Sequence, residues 1–283
     1  MIREMTEVSN GGPSALEPEV PAPWKPWRVA PTSAFEVSDA GGVVGMVQVD
    51  AVNFVVTTGF RFSDPDVRAM LEKQIRDTGK SEQEAQAMVT DACNYRLGTE
   101  DKTDMASIPR FLRWFENTYG LHTLAAIIHD RLITDGKPNT GPLASDTLSD
   151  RFFREMMRSA GVPWLKRWIM WAAVAMRSRW AAGGIRQLTV LVWVALASVG
   201  IALFVGAAGS AIFGWGRVLD PWVMLILAVA LPVVSAPLWG RQYGAALLAA
   251  LAALWILPAA GFALLGYLAY RILERIVHQF AHT

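Results

Sequence analysis

The chain of 283 residues has one cysteine, Cys93. That excludes an internal disulfide framework and any cysteine-rich zinc site. The small side chain is expected to act as a buried apolar group rather than as a reactive thiol. Net charge is also scarce, at +1, so whole-chain charge makes no case for nucleic acid. No Gly-rich phosphate loop of the Walker type, no Gly-x-Ser-x-Gly elbow and no His-Glu-x-x-His is present. Residues 1–31 carry Pro, Gly, Glu and Ser without the apolar core of a signal peptide. They read as a disordered tail, with Trp24 and Trp27 as anchors at its end.

Apolar residues, by contrast, make up 53% of the chain, and they are unevenly spread. Leu188 to Gly214 has no charged residue, long enough to cross about 30 Å of hydrocarbon. Trp222 to Trp239 is uncharged, with a tryptophan at each end to suit the two interfaces. Gly244 to Tyr270 is a third uncharged stretch, interrupted by Pro258. Residues 187–283 therefore read as an α-helical transmembrane region of three spans. A hairpin at Pro258 would make four. Five basic residues (Lys166, Arg167, Arg177, Arg179 and Arg186) precede the first span with no acid among them. That pattern is expected to hold the N-terminal domain in the cytoplasm, beneath a bacterial inner membrane or a host cell membrane. No acid, Lys or His lies within a span, which argues against an ion-coupled transporter. Small residues (Gly200, Gly206, Gly209, and Ala245 to Ala253) offer close-packing faces, within the chain or in a homo-oligomer.

Residues 32–186 read as a soluble α+β domain, short strands first and helices after. Gly45 to Val49 and Asn53 to Thr57 are predicted strands, with a turn at Gly59. Val67, Met70, Leu71 and Ile75 repeat at helical spacing after Pro65. Ser81 and Glu84 form a capping box for a second helix. Further helices are predicted over 108–119, 121–132 and 146–160.

Three segments gather the polar residues. Thr103-Asp104-Met105-Ala106-Ser107-Ile108-Pro109-Arg110 comes first, then Ala125-Ala126-Ile127-Ile128-His129-Asp130, then Ser149-Asp150-Arg151-Phe152-Phe153. Taken singly, each has a plain structural explanation. Thr103, Asp104 or Ser107 would cap a helix. His129 would sit at a helix C-terminus favoured by the dipole, with Asp130 exposed. Asp150 would be a carboxylate in a first turn, and the Phe152, Phe153, Met156 and Met157 stripe would be core. A histidine beside carboxylates also suits a divalent-metal site or a general base. Asp104, Ser107, His129, Asp130 and Asp150 are thus the candidate catalytic residues, with His129 and Asp130 as candidate ligands of a divalent metal.

In order and spacing, these segments resemble an uncharacterised family frequent in bacteriophage and prophage genomes, a domain of unknown function. The likeness runs from about Phe54 to Gly184 and ends on the Trp168 to Arg177 helix. In that family Gly-Phe runs almost directly into Thr-Asp. Here Gly59-Phe60 and Thr103-Asp104 are far apart, so 64–101 reads as a helical insertion. The resemblance implies that the five polar residues converge, as a metal-assisted hydrolytic site or as a buried hydrogen-bond network. Two functions follow as expectations: a membrane-associated hydrolase, or a non-enzymatic membrane effector in phage lysis, superinfection exclusion or defence. In the second, the domain would bind an as yet unknown protein partner or assist assembly.

Overall fold

A computed structural model describes residues 27–38, 41–50, 53–95, 102–103, 120–133, 143, 145–214 and 219–281. Two small antiparallel sheets open the fold. The first has strand order β1(Trp27–Val29)-β3(Val44–Gln48)-β4(Phe54–Val56)-β7(Lys102–Thr103). The second has order β2(Phe35–Val37)-β5(Phe60–Phe62)-β6(Asn94–Tyr95). Strand β1 pairs Trp27 with Met46, so residues 27–29 of the stretch read as a tail belong to a sheet. Gly59 lies where the chain passes from one sheet to the other, not in a hairpin. A Cβ there would meet Ser38 Oγ at 3.3 Å and the Tyr95 carbonyl at 3.4 Å.

Helices α1(Pro65–Arg76) and α2(Glu82–Cys93) follow, and their starts are chemically defined. Asp64 accepts from the Asp66 and Val67 amides, with Pro65 in the first turn. Ser81 and Glu84 complete the expected capping box. Val67, Leu71 and Ile75 turn inward at the predicted spacing. Both helices therefore pack into the domain core. After α3(Thr123–Leu132) comes α4(Asp146–Ser159), whose Phe152, Phe153, Met156 and Met157 are fully buried. Aromatic edges bind this helix to the second sheet, with Phe35–Phe62 centroids at 5.4 Å and Phe62–Phe152 at 5.6 Å. The helix expected over 108–119 lies outside the described residues.

From Trp164 on, the elements among the described residues are helices. α5(Trp164–Ala181) leads through a short glycine link to α6(Gly184–Phe213), and α7(Pro221–Ser235) returns against it. At Gly200 an added Cβ would lie 2.8 Å from the Ala228 carbonyl oxygen. The absence of a side chain is therefore what lets α6 and α7 touch. A 3₁₀ stretch, Ala236–Gln242, follows α7, with Gly240 at φ 57°. Trp239 is consequently turned inward against Trp193, at 5.1 Å, and is 1% exposed. Of the two tryptophans expected at interfaces, Trp239 is thus buried in the fold and Trp222 is exposed. Finally α8(Tyr243–Ala281) runs on through Pro258 without a turn, so a hairpin there has no counterpart. By length and composition, two helical runs are long and apolar enough to cross a membrane, Gly184–Phe213 and Pro221–His278.

Candidate functional site

The His-Asp doublet sits in the last turn of α3, and its neighbours point three ways. His129 reaches α4, its Nε2 lying 3.0 Å from Asp150 Oδ1. Asp130 Oδ2 accepts from the Thr103 hydroxyl of β7 at 2.8 Å. Arg131 donates to the carbonyls of Asn94 and, at 2.9 Å, of Asp91, and pairs with the Asp91 carboxylate at 3.1 Å. Successive helical residues diverge by about 100°, so three in a row can staple three elements. Here they hold α4, the first sheet and the α2–β6 corner.

His129 does lie in the last turn of α3, as the dipole account expects, but Asp130 is not exposed. His129 is 2% exposed and held by a carboxylate, with its ring 4.7 Å from that of Phe153. Asp130 is half-buried and bonded. His122 precedes α3 as its N-cap residue and is wholly buried.

Asp150 is the centre of the arrangement. It is 0% exposed, and a carboxylate so placed is tolerable only with hydrogen-bond partners. Three groups supply them. With its proton on Nε2, His129 donates to Oδ1. Ser178 of α5 donates to the same oxygen at 3.0 Å, and Gln242 donates to Oδ2 at 3.3 Å. Gln242 belongs to the 3₁₀ stretch beyond α7, 92 residues further along the chain. Its Oε1 in turn accepts from Arg179 Nη1 at 3.4 Å. Arg179 also donates to the Trp239 carbonyl at 3.1 Å, the Leu238 carbonyl at 3.3 Å and the Thr189 hydroxyl at 2.9 Å. Burial lowers the pKa of its guanidinium, and Arg186 adds to that. The result is a continuous path from guanidinium to amide to carboxylate to imidazole. It joins α3 and α4 to α5 and to the 3₁₀ stretch before α8.

Of the five sequence-derived candidates, the structure brings His129 and Asp150 into direct contact. Asp130 faces Thr103 instead. Asp104 and Ser107 lie outside the described residues, although Thr103 delivers the chain to the doublet one residue before Asp104. Among the described residues, no group of three or more His, Cys, Asp or Glu side chains is arranged to hold a metal. Sequence reading missed Ser178 and Gln242 and counted Arg179 only as a basic flank. A lone amide at the foot of an alanine-rich helix was the available signal for Gln242.

Comparison with known proteins finds one family domain in the chain. A domain of the family described as "Protein of unknown function (DUF1353)" is found at residues 88–174. It spans the end of α2, the doublet, Asp150 and most of α5, within the 54–184 range of the resemblance. No curated protein and no solved structure matches the chain. Ser178 and Gln242 both lie beyond the matched segment, so Asp150 is a domain residue satisfied partly from outside the domain.

Proposed function

We propose that this is a non-enzymatic membrane protein. Its unknown-function domain caps a bundle of membrane helices on the cytoplasmic face and is coupled to it through Asp150. The supporting observation is the Gln242 bond: a side chain of the helical half completes the hydrogen bonding of the domain's buried carboxylate. The membrane assignment is supported by exposure. A soluble core helix is mostly buried, whereas only 22% and 17% of the two apolar windows are buried. The orientation is supported by the basic residues between Lys166 and Arg186. On this reading the domain receives a binding event and the helices act on the envelope. Lysis, exclusion of other phages and defence are processes that would use such coupling, and the motif order suggests that context.

A hydrogen-exchange experiment on the full chain in detergent tests the coupling. Gln242→Leu is expected to speed exchange of amides in α3 and α4, distant in sequence but joined through Asp150. Unchanged exchange there would defeat the proposal.

One observation favours the metal-dependent hydrolase. A histidine whose ring nitrogen is oriented by a carboxylate is the usual outer-shell arrangement of a metal ligand. The residues fit it poorly as they stand, because His129 is closed off by Phe153 and Asp130 is directed at Thr103. Calorimetric titration of the full chain with Mn²⁺ or Zn²⁺ separates the two. The capping proposal expects no heat that depends on His129. Stoichiometric binding abolished by His129→Ala, in a variant that still folds, would support the hydrolase.

A further inference from the structure

Helix α5 is apolar on a side that is largely exposed. At about 100° per residue, Leu165, Ile169, Ala173, Met176 and Trp180 fall within a sector of about 80°. Leu165 is 52% exposed, Met176 38% and Trp180 48%, while Ile169 is half-buried. The opposite side holds Trp171, Ala175 and Ser178 against the rest of the fold. A soluble domain seldom exposes an apolar stripe along a helix of about 27 Å.

Charge says what covers it. No acidic residue occurs between Glu155 and Asp220, whereas Arg177 beside the stripe and Arg186 just after it are exposed. An apolar stripe with a tryptophan and a basic border is the pattern of a helix lying in a membrane interface. The stripe is also continuous with the apolar run. Helix α5 stops at Ala181, and Gly183 (φ 66°) and Gly184 (φ 55°) take left-handed backbone. That conformation breaks the helical path, and glycine adopts it without a Cβ clash. Immediately beyond, Ile185 is 72% exposed and Leu188 52%.

We infer that α5 lies in the plane of the membrane as an interfacial helix. Its Leu165–Trp180 stripe enters the acyl boundary, and Arg177 and Arg186 bind the phosphates of anionic lipid headgroups. The inference rests on the membrane reading above. It adds a lipid-contact surface on the domain itself. Because Ser178 and Arg179 lie on the same helix as the stripe, lipid contact and the Asp150 path share one rigid element.

Fluorophore quenching by chain-brominated lipid tests it. The full chain is reconstituted in nanodiscs, with Cys93 left in place because it is buried. Met176→Cys, Val205→Cys on α6 and Arg158→Cys on α4 each carry a bimane probe. Brominated phosphatidylglycerol or brominated phosphatidylcholine is supplied at equal mole fraction. Quenching is expected at positions 176 and 205 and not at 158. At 176 it is expected to be stronger with the brominated anionic lipid, a preference of about fivefold for each arginine involved. Arg177→Gln with Arg186→Gln should abolish that preference and leave position 205 unchanged. Quenching at 205 but not at 176 would overturn the interfacial helix while leaving the membrane reading intact. Equal quenching at 176 by both lipids would overturn the headgroup assignment. Silence at both 176 and 205 would overturn the membrane reading itself.

Discussion

If Asp150 joins two halves of the molecule, then altering it and altering Gln242 must not be independent. Asp150→Ala leaves His129 Nε2, Ser178 Oγ and Gln242 Nε2 in a buried space without their acceptor. Removing one side of a buried charged cluster costs about 3–5 kcal/mol. Gln242→Leu deletes one donor to the carboxylate and one acceptor for Arg179. A hydrogen bond to a charged group contributes about 1.5–3 kcal/mol. The 3.3 and 3.4 Å lengths place this variant at the lower end. For a chain of this size each kcal/mol moves the thermal midpoint by about 2–4 °C. Asp150→Ala should therefore lower the midpoint by about 10 °C, and Gln242→Leu by about 4 °C. Once Asp150 is gone, Gln242 has lost its acceptor, so the double variant should be more stable than the sum by about 1–2 kcal/mol. The assay is thermal unfolding of the full chain in mild detergent, followed in the near and far ultraviolet. Additivity within about 0.5 kcal/mol would refute the coupling.

Other outcomes follow from single contacts. Gly200→Leu should part α6 from α7, because even its Cβ would sit 2.8 Å from the Ala228 carbonyl oxygen, and overpacking costs about 1–3 kcal/mol. Gly261→Ala in α8 meets nothing within 4 Å and should be neutral or stabilising by up to about 1 kcal/mol, read in the same melts. Burial pushes the Cys93 thiol up to about 11 from an ordinary 9.0, against a weaker opposing pull from Arg68. Maleimide at pH 8 should thus label it only after denaturation, and its contribution to stability should be intact below pH 9.0 and lost as pH rises to about 11. Burial alone would raise the Asp64 carboxyl, but the Ser159 hydroxyl at 2.6 Å and the Val67 and Asp66 amides together hold it below 3.8. Its stabilisation is therefore present above pH 3.8 and lost as pH falls through the lowered value. Ser159→Ala should weaken the α1–α4 joint at neutral pH and flatten the acid transition seen by circular dichroism.

Local signals along the chain were legible where the physics is local. The Asp64-Pro65 start, the Ser81 capping box, and the inward Val67, Leu71 and Ile75 depend on neighbours within one or two turns. The Phe152–Met157 stripe likewise belongs to one helix face. The inward packing of Trp239 was not legible, because it lies in the 3₁₀ stretch after α7 that Gly240 kinks with a positive φ. The doublet was legible in its place at a helix end and not in its partners. A helix-end histidine is ordinarily stabilised by the dipole in solvent, but His129 lies under Phe153 and beside a carboxylate 21 residues on. Gln242, 92 residues from its acceptor, left no periodic trace at all.

Arg179 shows how a residue can satisfy the sequence rule and still be misread by it. It belongs to a run of five basic residues without acids, and the proposed orientation counts such residues regardless of what each one touches. Four of the bonds it donates nevertheless go to the segment 189–242: two backbone carbonyls, one hydroxyl and one amide oxygen. The carbonyls of Leu238 and Trp239 lie in a 3₁₀ stretch, between two apolar helices, where water is an unreliable partner. A guanidinium can serve them because its fork presents several donors at once and its plane tolerates an aromatic face, here Trp239 at 5.4 Å from its central carbon. A lysine would retain the orientation signal and lose this geometry. Arg179→Lys should therefore leave topology unchanged, as read by a cysteine-accessibility map, while freeing the Ala236–Gln242 stretch and with it the Gln242 bond to Asp150. A variant with the hydrogen exchange of the native chain in that stretch would mean that the charge, and not the fork, is what the position requires.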